Sequence, residues 1–175
     1  LEALDDAAGL TIVFVPQLDP GGDTKWCDLL AKQTSLQIVK LENETRLRTE
    51  TVYVCPLQTL LEIQNGFVSV LPNEPENHST RFIDHFLHSL ANDQGERAVG
   101  IILSGAGSDG TLGLKAISDS GGLTFAQEPK SAKFDSMPRS AVQTGVADHV
   151  LTPVEIAREL LQYRQHLHDF GETAS

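Results

Sequence analysis

Short apolar runs alternate along the chain with stretches whose apolar residues recur at helical spacing, and this alternation predicts strands and helices in turn. Ala98 to Leu103 is an unbroken apolar run with β-branched Val99, Ile101 and Ile102, the pattern of a parallel strand covered on both faces. Leu10–Val15, Gln37–Leu41, Val52–Cys55, Leu123–Ala126 and Val146–Leu151 predict further strands. Leu60–Ile63 and Phe67–Val70 flank Asn65-Gly66 and predict a hairpin. Helices are expected where Asp23 precedes Trp26, Cys27, Leu30 and Ala31, where Phe82, Ile83, Phe86, Leu87 and Leu90 share a face, and from Thr111 to the glycines 121–122. A short helix with Pro138 in its first turn ends near Gly145, and Thr152-Pro153-Val154-Glu155 opens a last helix running to about Leu167. Residues 1–8 favour helix, whereas 42–50 and 72–79 are polar connections. Repeated strand-then-helix order predicts an α/β fold, a doubly wound and mainly parallel sheet with a β-hairpin insertion.

Composition narrows the function classes. The 175 residues suit one domain, and 40% apolar content is that of an ordinary globular chain. A formal charge of −11 argues against nucleic-acid and anionic-membrane partners, since neither polyanion releases counterions to so acidic a surface. Cys27 and Cys55 share no motif and are expected as free thiols in a reducing compartment. No apolar run approaches the roughly 20 residues of a membrane span, so a cytoplasmic protein without membrane insertion is expected. The chain begins at Leu1 rather than Met, which suggests a piece of something longer.

Candidate chemistry concentrates in the turn after the 98–103 strand. Gly105, Gly107 and Gly110 allow a tight turn, and Asp109 stands within it. Three readings of that turn compete. The carboxylate caps a helix; it orients a base or binds a cation in the crevice beyond the strand ends; or the glycines form a G-x-G-x-x-G dinucleotide loop with Glu128 as its ribose acid. A negative charge at Asp109 opposes a pyrophosphate, which weakens the third reading. Ser104 and Ser108 read as turn residues. His85 and His88 have a spacing that could ligate a metal but flank core positions; His78, His166 and His168 read as solvated and His149 as structural.

Several phrases together resemble the catalytic domain of CheB-type protein-glutamate methylesterases, and most closely the variety fused to methyltransferase, PAS or kinase modules. They are LEAL at 1–4, QLDP at 17–20, VYV at 52–54, ID at 83–84, DQGERAVGIILSGAGSDGTLGLKAI at 93–117, GGLTFAQ at 121–127 and MPRSA at 137–141. The resemblance implies a Rossmann-like serine hydrolase with Ser, His and Asp at the C-terminal sheet edge, acting on glutamyl methyl esters of receptors. By the same resemblance Asp109 is the family aspartate, Ala106 supplies an oxyanion-hole N–H, and Met137 and Arg139 contact substrate. The family's serine lies in a strand and turn upstream of the residues matching LEAL. Gln17 falls where the family has its histidine, and a carboxamide accepts no proton near neutral pH.

Residues 1–175 are therefore expected to form a single methylesterase-like domain lacking its first strand and nucleophile turn, and inactive as it stands. Its implied partners are methyl-accepting receptors or other signalling domains, with no cofactor and no metal. A non-catalytic interaction module is the alternative, and a dinucleotide-binding domain a remote one. Gln17 and Asp109 are expected to face each other, the amide within about 3.2 Å of the carboxylate or one water away.

Overall fold

The alternation of strands and helices is realised in a computed structural model that describes residues 4, 9–17, 23–57, 59–71 and 81–172. Residues 1–3, 5–8, 18–20 and the 72–79 loop with His78 lie outside the described residues, as do the side chains of His166 and His168. Strands β1 (Thr11–Phe14) and β2 (Gln37–Lys40) both pair in parallel with β4 (Thr51–Val54). All four residues of β4 are buried, as its continuous apolar run requires of a central parallel strand. Strands β7 (Val99–Ile102), β8 (Leu123–Gln127) and β9 (His149–Leu151) form a second parallel set with β8 at its centre.

Side chains alternate across these strands into two cores. One contains Val13, Tyr53, Ile102 and Ala126, packed with α2 (Phe82–Gln94), α3 (Thr111–Asp119) and α4 (Ser136–Gln143). The other contains Ile12, Val99, Ile101 and Phe125, covered by Ile156, Ala157 and Leu160 of α5 (Pro153–Glu172). Helices on both faces make the fold doubly wound. Helix α1 (Asp23–Ala31) packs beside β2, and the Trp26 ring meets Phe14 edge-on at 5.0 Å. Neither Cys27 nor Cys55 is in a disulfide.

The hairpin forms as β5 (Leu60–Gln64) and β6 (Phe67–Leu71), with positive φ at Asn65 and Gly66 as its two-residue turn demands. A two-residue strand, β3 (Thr45–Arg46), adds to β6 within the segment expected to be only a polar connection. The expected 146–151 strand is shortened to 149–151. Buried Thr124 takes the backbone that a longer strand needs: its hydroxyl lies 2.8 Å from the Val146 carbonyl oxygen and accepts from the Asp148 N–H at 3.0 Å. At the start of α5, Glu155 accepts from the hydroxyl and N–H of Thr152 at 2.7 and 2.9 Å, which makes the glutamate arm of the expected capping box. The hydroxyl bond holds the Glu155 carboxyl below the usual glutamate range, so this arm is in place at neutral pH and is lost as pH falls through the lowered value.

Candidate functional site

Two loops meet beyond the C-terminal ends of parallel strands, one leaving β1 at Gln17 and the other leaving β7 at Ser104–Gly110. The Gln17 carboxamide closes a two-bond ring on a single residue. Its Oε1 accepts from the Ala106 N–H at 2.7 Å, and its Nε2 donates to the Ala106 carbonyl at 2.5 Å. Gly105 makes this approach possible, because a Cβ there would lie 2.8 Å from Gln17 Oε1 and 2.4 Å from the Met137 Cε.

The turn is pinned from the other side by the segment entering α4. The Gly105 N–H donates to the Phe134 carbonyl at 2.9 Å, the Met137 N–H to the Gly105 carbonyl at 3.1 Å, and the Gly107 N–H to Ser136 Oγ at 3.0 Å. Ser104 accepts from the Phe134 N–H at 2.9 Å through its hydroxyl, and its own N–H donates to buried Gln127 at 2.9 Å. With the N–H groups of residues 104–107 all engaged inside the protein, the glycine-rich turn does not present the free cradle that a pyrophosphate needs.

Asp109 turns away from Gln17. Its two oxygens accept from the N–H groups of Ile83 and Asp84 at 3.0 and 2.9 Å, so the carboxylate sits on the N-terminus of α2, where unpaired donors and the positive end of the helix dipole converge. The expected direct Gln17–Asp109 hydrogen bond is not formed, because each side chain finds two backbone partners of its own. Nor does Asp109 cap the helix it precedes: α3 starts from Gly110 with no side-chain cap. Buried Asp84 answers in the other direction, accepting from the Gly113 N–H of α3 at 2.7 Å and pairing with Arg81 at 2.6 Å. Replacing Asp109 by alanine should therefore cost about 0.5–2 kcal/mol, the range of a lost helix cap, and speed amide exchange at Ile83 and Asp84. A change in neither stability nor exchange would contradict this role.

Met137 is buried under Gly105 in the larger core, and Arg139 pairs with Asp135 on the exposed side of α4. His149 stacks on Phe125 at 5.2 Å, a packing contact. His85 Nε2 is buried without a hydrogen-bond partner while His88 is exposed, and among the described residues no three His, Cys, Asp or Glu side chains are grouped to hold a metal. Sequence reasoning missed Ser136, Phe134 and Gln127, whose partners are backbone groups of the turn. The phrases GGLTFAQ and MPRSA were the available signal, since each ends or begins beside these positions.

Comparison with known proteins points one way. A family model described as CheB methylesterase matches residues 1–160. A putative protein-glutamate methylesterase/protein-glutamine glutaminase of Leptospira interrogans is 32% identical over 168 residues, covering 95% of this chain and 86% of that one. An uncharacterized 104.1 kDa protein of Rhodobacter capsulatus is 41% identical over 123 residues; the match takes in 70% of this chain but 13% of that protein. The crystal structure of the Thermotoga maritima CheB methylesterase catalytic domain superposes with a TM-score of 0.75 at 26% identity, covering 87% of this chain and 83% of that one.

Proposed function

The chain belongs to the CheB methylesterase family, and from that premise we propose that it is a chemotaxis-type protein-glutamate methylesterase domain that docks onto signalling receptors without hydrolysing them. The observation that carries this reading is the Gln17 carboxamide seated on Ala106. In the family's layout that position holds the general base and that N–H the oxyanion donor, so one substitution removes the first and covers the second. Asp109, the family aspartate by resemblance, is left to hold α2. Partner recognition then rests on the rim of the crevice, where Leu103, Leu112 and Phe134 are exposed apolar side chains on the elements flanking the turn.

The family acts on receptor side chains whose carbonyl carbon is attacked, and the Leptospira interrogans relative carries both methylesterase and glutaminase in its description. With Gln17 in place, docking should ignore which of these groups the receptor carries. Calorimetric titration with a receptor cytoplasmic fragment in glutamate, glutamine and methyl-ester forms is expected to give saturable binding of equal affinity for all three. Absence of saturation by about 1 mM, the weak end of ordinary affinities, would refute docking, and a marked preference for the methyl ester would refute the closed site.

A further inference from the structure

We propose that Asn65 is a site of spontaneous deamidation, restrained by the Asp93 carboxylate, and that its modification frees the hairpin tip from α2. Asn65 and Gly66 form the two-residue turn between β5 and β6, with φ of 53° and 75°. Asn65 is exposed, and its side-chain amide takes no part in the hydrogen bonds of the described residues. Gly66 carries no Cβ to hinder its nitrogen, and a Cβ built there would meet nothing within 4 Å. The reaction needs no enzyme and no reagent but water. The Gly66 nitrogen loses its proton to solvent and attacks the side-chain amide carbon of Asn65. The new C–N bond closes a succinimide ring, and the side-chain nitrogen takes up a proton and leaves as ammonia. Water then opens the ring at one of its two carbonyls, giving aspartate at position 65, or isoaspartate with the main chain running through the former side chain.

Asp93, in the last turn of α2, holds the attacking nitrogen back. Its oxygens accept from the N–H of Asn65 and, at 3.3 Å, from the N–H of Gly66. Gln94 Nε2 donates to the Gly66-facing oxygen at 2.6 Å and steadies the carboxylate. From the other side the Leu47 N–H donates to the Gly66 carbonyl at 3.0 Å. An anion that accepts the Gly66 proton opposes its loss, because removing it sets a second negative charge beside the first. Closing the ring also rotates the Gly66 peptide and breaks its bond to Asp93, so the reaction draws on the fraction of time the tip is released. Asp109-Gly110 is the contrast within the chain. A carboxylate is a poorer target than an amide, both Asp109 oxygens are engaged by α2, and Ile102 and Ile83 fill the space beside Gly110. Once Asn65 is converted, either product places a carboxylate against Asp93, and isoaspartate also lengthens the main chain, so the tip loses its register on α2. None of this depends on whether the chain docks onto receptors.

Peptide mapping of the whole chain, held for weeks at physiological temperature and pH, tests the site. The acid should appear at residue 65, as aspartate and isoaspartate together, before it appears at Asn43, Asn73, Asn77 or Asn92, none of which precedes glycine. Asp93→Ala should speed the loss of Asn65 about 2- to 10-fold, the effect of one net hydrogen bond, and leave Asn43, Asn73 and Asn77 at their wild-type rates. Gly66→Ala should suppress the reaction, since the added methyl group hinders the nitrogen while touching nothing else in the fold. If Asp93→Ala loses amide dispersion, Asp93→Asn carries the test: it keeps an acceptor without the charge, and should also convert Asn65 faster than wild type. In nitrogen-15 spectra of the aged chain, the Gly66 amide of the modified fraction should exchange as fast as in Asp93→Ala while the amides of β4 stay protected. Loss of Asn65 no faster than at the other asparagines, an unchanged or slower rate in the Asp93 variants, or a modified fraction whose Gly66 amide keeps its wild-type protection would overturn the proposal.

Discussion

Offered a methylated receptor fragment, the chain is expected to release methanol at least about 10⁴-fold more slowly than an intact methylesterase domain of the family, a bound set by two separate losses. The first is the base. Removing the histidine of a serine protease costs about 10⁶ in kcat, and a carboxamide in its place neither takes a proton from a nucleophile nor returns one to a leaving alcohol. The second is the oxyanion site, where removing one donor costs about 10²–10³; here the Ala106 N–H is engaged by the chain's own Gln17. Such losses are strongly non-additive, which is why the bound is placed below their product. The measurement is methanol evolved from labelled receptor against a buffer blank. A rate within about 100-fold of an intact family enzyme would show that Gln17 does not occupy the base position.

Replacing Gly110 by alanine should cost about 2–5 kcal/mol of stability, combining the left-handed backbone penalty with overpacking. Gly110 has φ +94°, and a Cβ on it would lie 2.3 Å from Ile102 Cδ1 and 2.9 Å from Ile83 Cγ2. Both isoleucines are in the larger core, held between β7 and α2, so neither can swing into solvent to make room. Gly107 supplies the control. Its φ is +84° but a Cβ would meet nothing within 4 Å, so Gly107→Ala should show the backbone penalty alone, about 1–2 kcal/mol. For a chain of this size the two variants should melt roughly 5–20 °C and roughly 2–8 °C below wild type. Equal losses would mean that the turn relaxes around Gly110 and that close packing is not what fixes a glycine there.

The parts of the fold that sequence made legible are those encoded by side-chain period. Val52 to Cys55 read as a buried strand and all four residues are buried; Asn65-Gly66 read as a hairpin turn and both adopt positive φ. What escaped was the choice of hydrogen-bond partner. Thr124 looks like any strand threonine, yet it ties down Val146 and Asp148 and delays the start of β9. Asp109 was legible as a carboxylate in a turn, with capping among its readings, but not as the cap of a helix 26 residues earlier. Gln17 bonds the Ala106 peptide rather than the Asp109 carboxylate directly, because a carboxamide matches a peptide unit as well as it matches an acid, and residue type alone does not rank the two.

Helix α2 carries a carboxylate bond at each end. Asp109 grips its first turn, and Asp93 in its last turn accepts from the N–H groups of Asn65 and Gly66 at the hairpin tip. Thirteen helical residues span about 20 Å, so the helix is a strut whose two feet stand on turns of unrelated origin. The hairpin tip and the glycine-rich turn are thus tied to opposite ends of one helix, so that loss of either carboxylate would leave one foot of the strut unfastened.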